Sequence, residues 1–414
     1  MSDWQKTTVG KVATGFLSGG TPTTSRADFW KGEIPWITSK WLSDKLELTT
    51  GEKFVSEEAV KKSATKIVPK DSIIFATRVG VGKVGINRID LAINQDLAGV
   101  LIDNENYDIK FLAYQLGIDS IQQYVAMNKR GATIKGITRD CLEEIRLNIP
   151  SLPEQKKIVH ILSMVQRAIE AQERIIQSTT ELKKALMHKL FTEGLHNEPQ
   201  KHTEIGPIPE SWETSYLGEV AEIRYGLGQP PQQAADGVPM IRATNIKRGR
   251  ISEHGLIRIK RNAIPESRNP YLRAGDVVVV RSGAYTGDVA MITEEWAGSV
   301  AGYDLIVSPG NSVNSAFCAY ALLSAPVQQH FKGQSNRAAQ AHLNRQQLQT
   351  THIPLPSRNE QDRVAEVLDA AQMKIDYAEQ RRAALQDLFR TLLHELMTAK
   401  TGVHELELEK EEVA

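Results

Sequence analysis

The sequence predicts two α/β (mixed α+β) domains, joined by two long helices that pair as an antiparallel coiled coil around a pseudo-twofold axis. Three observations carry that reading. First, Trp4-Gln5-Lys6-Thr7-Thr8-Val9-Gly10 returns as Trp212-Glu213-Thr214-Ser215-Tyr216-Leu217-Gly218, an offset of 208 residues. Second, Ser151-Leu152-Pro153-Glu154-Gln155 returns as Ser357-Arg358-Asn359-Glu360-Gln361, an offset of 206. Third, each of these later segments opens an amphipathic stretch in which apolar residues recur at alternating steps of four and three. A repeat of that size is a whole domain plus a helix, and two copies are too few for a solenoid. A pseudo-dimer within one chain suits them better.

At 414 residues the chain exceeds what one core comfortably serves. The expected order is a first domain over 1–150, a helix over 151–195, a linker over 196–210, a second domain over 211–355, a helix over 356–400 and an acidic tail over 401–414. Within the first domain, Ser72–Ala76 and Leu97–Ile102 read as strands and Phe111–Ile121 as a short helix. The second domain offers Asp276–Val280 and Asp304–Val307 as strands and Ala316–His330 as helical. Neither block has the βαβ rhythm of a doubly wound sheet.

The long helices start on a capping box, Ser151 with Glu154 and Ser357 with Glu360. The first carries Ile158, Leu162, Val165, Ile169, Ile176, Leu186 and Leu190 on one stripe. The second carries Val364, Leu368, Ala371, Ile375, Leu385, Phe389, Leu392 and Leu396. That spacing is a coiled-coil seam, and each stripe needs a partner to be buried. An antiparallel pair lets each domain sit at the start of its own helix without a long return along the rod.

Charge is balanced, with 50 basic and 50 acidic residues, so the sum says nothing about partners. Its distribution says more. Ten basic residues fall between Arg242 and Arg281, opposed by Glu253, Glu266 and Asp276 alone. Such a run is either a solvated face or a phosphate-facing one. Met1–Val12 is polar and charged, and no stretch reaches the roughly 20 apolar residues of a membrane span, which suggests a cytoplasmic protein without membrane association. The cysteines, Cys141 and Cys318, are not repeat-equivalent and form no ligand cluster, and no histidine pair has supporting acids, so no metal site is expected. Glu57-Glu58 and Glu294-Glu295 read as solvated turns. The tryptophans, Trp30, Trp36 and Trp41 among them, read as packing residues rather than stacking platforms.

The chain resembles the DNA-specificity subunit of type I restriction–modification enzymes. The resemblance rests on Gly19-Gly20-Thr21-Pro22 with Trp30 and Ile34-Pro35-Trp36, and on Gly226-Leu227-Gly228-Gln229-Pro230-Pro231 with Met240–Ile246. It rests also on Leu152-Pro153-Glu154-Gln155-Lys156-Lys157-Ile158 and on Gly206-Pro207-Ile208-Pro209-Glu210-Ser211-Trp212. It implies two target recognition domains, each reading half of a split, asymmetric sequence in double-stranded DNA, with the helices fixing the gap. It further implies two methyltransferase subunits and restriction subunits as partners. S-adenosylmethionine, ATP and Mg would sit on those partners, with no cofactor and no catalytic residue in this chain.

Base readout needs side chains with paired donors or acceptors on loops that reach base edges. In the second domain Arg242, Asn245, Lys247, Arg248, Arg281 and Tyr285 meet that description. Arg281–Gly287 is a glycine turn after a strand, and Thr77–Lys83, with Arg78 and Lys83, is its counterpart. A glycine turn alone supplies only positive φ, but both copies add a basic residue. The resemblance places DNA contacts also on Lys129, Arg130 and Lys135, and on Gln334, Asn336 and Arg337, although the second copy lacks a glycine where Gly136 stands. Two competing functions are a coiled-coil structural scaffold without DNA specificity, and an enzyme. A fused methyltransferase would need an Asn/Asp-Pro-Pro-Tyr/Phe motif, which is absent.

Overall fold

The computed structural model describes residues 4–42, 46–131, 135–228, 231–247, 249–265, 269–335 and 342–403, with backbone alone at 334 and 335. The chain divides into two compact units, Met1–Gln172 with Gln380–Ala414, and Glu173–Glu379.

In the first unit, the strands Ala13–Ser18, Leu97–Ile102, Ser72–Ala76, Val84–Asn87 and Glu47–Leu48 form one sheet in that spatial order. All its pairs are antiparallel except the last. A second sheet is ordered Lys53–Val55, Ile34–Ile37, Leu91–Ile93, Lys66–Val68. Alternation along Ser72–Ala76 joins two cores, because successive side chains leave a strand on opposite faces. Ile73 and Phe75 pack with Phe111, Leu112 and Leu162, while Ile74 and Ala76 pack with Ile37, Leu91 and Ile93.

The second unit repeats the plan. Ala221–Tyr225, Leu305–Pro309, Val277–Val279 and Val289–Met291 lie in the order of their counterparts. Val277 and Val279 face one core, Val278 and Val280 the other. Terminal strands pair in both units, Gln5–Thr8 with Arg146–Ile149 and Glu213–Tyr216 with His352–Leu355. The single helices expected at Phe111–Ile121 and Ala316–His330 are each two. Ile109–Leu116 stops at Gly117 before Asp119–Met127, and Ser315–Leu323 stops at Ser324, where Pro326 opens Ala325–Ser335.

The long helices are Leu152–Glu193, 42 residues, and Arg358–Met397, 40 residues. At ~1.5 Å per residue each runs roughly 60 Å. Pro153 sits in the first turn, where its missing N–H is harmless. Along the first helix Ile158, Leu162, Ile169 and Leu190 are buried, with Val165, Ile176 and Leu186 partly so. Along the second, Val364, Leu368, Ile375 and Leu396 are buried, with Ala371, Leu385, Phe389 and Leu392 partly so. Within the first unit, Ile158 and Leu162 share a core with Phe389, Leu392, Leu396 and Met397. Within the second, Leu190 and Phe191 share one with Val364, Ala365 and Leu368. In each unit the start of one helix thus meets the end of the other.

A buried glutamine ties each helix start to its own domain. Gln155 accepts the Asp108 amide at 2.9 Å and donates to the Pro150 carbonyl at 2.9 Å. Gln361 accepts the Asn314 amide at 2.8 Å and donates to the carbonyls of Pro356 at 3.0 Å and Ser312 at 3.2 Å. Asp108 and Asn314 are themselves the N-caps of Ile109–Leu116 and Ser315–Leu323. The Ser357 hydroxyl accepts the Glu360 amide at 3.4 Å, while the Glu154 carboxylate accepts the Trp4 indole at 3.2 Å. Residues 200–209, read from the sequence as linker, form a hairpin of Gln200–Thr203 and Gly206–Pro209. It is anchored by buried Ile205 and Ile208 beside Trp212.

Candidate nucleic-acid interface

In the second unit the strand Val277–Val279 delivers Arg281 to a glycine turn. Gly283 and Gly287 both hold φ at +90°, conformations that L side chains resist. The Gln328 side chain donates to the Gly287 carbonyl at 2.8 Å and the Leu322 carbonyl at 2.7 Å, which pins the turn to the helix behind it. The Arg281 carbonyl accepts the Leu343 amide at 2.8 Å, and its amide donates to buried Asp304 at 3.3 Å.

The Arg281 guanidinium lies 4.3 Å from the Tyr303 ring centroid and 4.8 Å from that of Tyr225. Its Nη2 is 2.8 Å from His342 Nε2. Burial first and the Arg281 charge second pull the His342 pKa down, which favours a neutral ring able to accept from the guanidinium. Burial pushes the Asp304 carboxyl up to about 6, although the Arg281 and Ala243 amides and the Arg281 charge oppose it. Tyr225, Gly226, Leu227, Asn269, Arg281 and Tyr303 line an open cleft of about 520 Å³.

The other expected residues sort into distinct groups. Tyr285 and Lys247 are exposed. Arg242 is half-buried, its Nη2 donating to the Gly255 carbonyl at 2.7 Å. Asn245 is a correction. It is fully buried, its oxygen accepting the Arg242 amide and its nitrogen donating to the Ser252 and His254 carbonyls at 3.0 and 3.2 Å. A side chain with both ends occupied inside the fold builds the loop and does not meet a base. Arg250, in the same basic run, pairs with Asp376 and Glu379 of the second long helix. Arg248, Asn336, Arg337 and the Gln334 side chain lie outside the described residues.

In the first unit Arg78, Lys129, Arg130 and Lys135 are exposed. Lys83 is exposed along its stem, but its ammonium donates to the Leu42 carbonyl at 2.9 Å. Gly80 and Gly82 hold φ at +67° and +97°. Gln122 donates to the Gly82 and Leu116 carbonyls at 2.9 and 2.8 Å, as Gln328 does in the other unit. The Thr77 carbonyl accepts the Ile137 amide at 2.9 Å, the bond that Arg281 makes with Leu343, so Thr77 stands where Arg281 stands. Gly136 packs so closely that a Cβ would lie 2.6 Å from the Thr77 carbonyl oxygen. Its counterpart is His342. Tyr225, Tyr303 and His342 were not legible as site residues, because they meet Arg281 only through the fold. Gln122 and Gln328 recur 206 residues apart, and that identity was a usable signal.

Among the described residues no group of three or more His, Cys, Asp and Glu side chains is placed to hold a metal ion. Among them also, no helix is long and apolar enough to cross a membrane. The model of the type I restriction modification DNA specificity domain matches residues 1–180 and again 209–387. The MjaVIII type I restriction enzyme specificity subunit of Methanocaldococcus jannaschii is 23% identical over 98% of this chain and 94% of its own length. The MjaIX specificity subunit of the same organism is 27% identical over 58% of this chain, and the match spans only 57% of that relative's length. The EcoR124I/EcoR124II specificity subunit of Escherichia coli is 31% identical over 39% of this chain and 40% of its own. Among solved structures, the type I restriction–modification S subunit from M. genitalium superposes with a TM-score of 0.61 at 17% identity, covering 96% of both chains. The chain therefore belongs to the type I restriction–modification DNA specificity family.

Proposed function

We propose that this chain reads a bipartite, asymmetric target in double-stranded DNA and carries methyltransferase and restriction subunits to it. Each domain reads one block, and the two long helices form an antiparallel coiled coil with a pseudo-twofold axis that fixes the unspecified gap. The observation that carries the reading is the duplicated helix root. Gln155 and Gln361 lock each helix to its own domain, and each root packs on the end of the opposite helix. Rigid roots of that kind turn helix length into a distance between reading heads. Roughly 60 Å of helix compares with ~3.4 Å per base-pair step, enough to hold two sites a turn or more apart.

Exposed Arg78, Lys129, Arg130 and Lys135 in one unit, and exposed Lys247 with partly buried Arg281 in the other, supply phosphate and base contacts. The test is equilibrium binding of the full chain, alone and with its methyltransferase partner, to duplex DNA pools across a salt series. Sequence-selective binding with a log–log salt slope of about −0.9 per phosphate contact is expected. Binding without sequence preference, or none, would favour a structural scaffold.

A further inference from the structure

Among the described arginines of the second unit, Arg281 is the one whose guanidinium lies against two aromatic rings. Tyr303 and Tyr225 lie along its guanidinium at 4.3 and 4.8 Å, His342 takes one Nη, and buried Asp304 holds its amide. The Tyr225 hydroxyl accepts the Arg345 amide at 3.1 Å, so that wall is fixed too. Both tyrosines keep more than a third of their surface exposed, and the cleft they frame is open. An oriented fork suits two adjacent acceptors, whether two phosphate oxygens or the edge of a base, and exposed aromatic walls beside it favour the flat base. In the major groove that edge belongs to guanine, through O6 and N7.

We infer that Arg281, packed against Tyr225 and Tyr303, is a specificity-determining residue that reads one guanine in the DNA block bound by the second domain. The first domain has Thr77 at the equivalent place and Gly136 opposite it, so it makes no such reading there. The inference rests on the DNA-reading function proposed above, and its failure is separable from a failure of that function.

The experiment uses the full chain with its methyltransferase partner and a duplex library carrying a fully randomised window, with bound molecules sequenced. The wild type selects two blocks, one with a strongly required guanine. Arg281→Ala lowers discrimination at that one position by about 5- to 150-fold, leaving the first domain's block unchanged. Arg281→Lys keeps part of the preference, since an ammonium reaches the same acceptors without the fork. Tyr303→Leu, which leaves the arginine but removes a wall, relaxes the same position. A uniform loss across all sequences with a shallower salt slope would make Arg281 a phosphate contact and overturn the inference. So would an unchanged profile, or loss of the whole block in all three variants. A wild type that selects no sequence would instead remove the DNA-reading function itself.

Discussion

The two domains share a frame and differ in what the frame presents. Both hold a glycine turn with a glutamine from the second of their two short helices, Gln122 in one and Gln328 in the other. Both end their central strand on a carbonyl bonded to the segment before the long helix. At that strand end the first domain has Thr77 facing Gly136, and the second has Arg281 facing His342. Ser18, paired with Ala98, stands where Tyr225 pairs with Leu305. The exchanges are correlated: a long cation comes with aromatic walls and an acceptor, a short hydroxyl residue with a glycine. The strand-end residues thus differ as a set between the two domains, while a backbone-binding glutamine holds the loop in both.

The helix roots give a second contrast, and the largest expected effect. Trp212 is fully buried against Phe191 and Phe317, whereas its repeat partner Trp4 is partly exposed and meets Phe111 at 5.9 Å. Trp212→Ala should cost about 3–5 kcal/mol in urea unfolding, and Trp4→Ala clearly less. The order reverses for Trp→Phe. Trp4 Nε1 donates to Glu154, while Trp212 Nε1 and Glu360 Oε1 have no hydrogen-bond partner among the described residues. Trp4→Phe loses a bond and Trp212→Phe relieves an orphan. Equal effects at the two sites would break the comparison.

Next come the glutamine clamps. Gln361→Ala strands three backbone groups and Gln155→Ala two. Losses of about 2–4 kcal/mol are expected, larger for Gln361. Amide exchange should quicken at Asn314 and at Asp108 respectively, and protection unchanged at both would refute the clamp.

Asp304 has no buried acid as its counterpart in the first domain, where Ala98 stands at the place of Leu305 and buried Leu97 at the place of Asp304. With its folded pKa raised to about 6, protonation stabilises the fold below the ordinary carboxyl range, and that stability is lost as pH rises through 6. Asp304→Asn should match the wild type near pH 4 and exceed it by up to about 2 kcal/mol at pH 8. A thermal-melt series at the two pH values reads the gap.

The smallest effect concerns the seam. Lys183 packs on Tyr320 at 4.8 Å and donates to Gln372 at 2.6 Å, with Arg250 and Asp369 as charged neighbours. Its repeat partner, Phe389, makes the corresponding contact with Tyr114 at 5.8 Å. Burial, then Arg250, lowers the Lys183 pKa to about 8, so the charged head destabilises the fold below that pH and the penalty fades toward 10.5. Lys183→Leu should stabilise by about 1 kcal/mol at pH 7, given partial solvent screening, with the gain shrinking above pH 8. A gain that grows with pH would contradict the assignment.

Periodicity and repetition made the frame legible in the sequence. The stripe from Ile158 to Leu190 and the doubled Glu-Gln pair located the helices, because a 3.6-residue period and a cap are local properties. The glycine turn was legible for the same reason. Tyr225, Tyr303 and His342 were not, since they lie 56, 22 and 61 residues from Arg281 and share no local pattern with it. Asn245 misled because a polar residue in a basic run looks the same whether it faces DNA or caps its own loop. Gln155 and Gln361 were visible as a repeat, but their burial depends on Asp108 and Asn314, which only the fold brings near.

The most direct test of two unlike reading heads at a fixed distance is the genome-wide methylation pattern in cells expressing this chain with its modification partner. Two different defined blocks, separated by an unspecified gap of constant length, are predicted. A palindromic motif, a continuous one, or a gap of variable length would contradict the account.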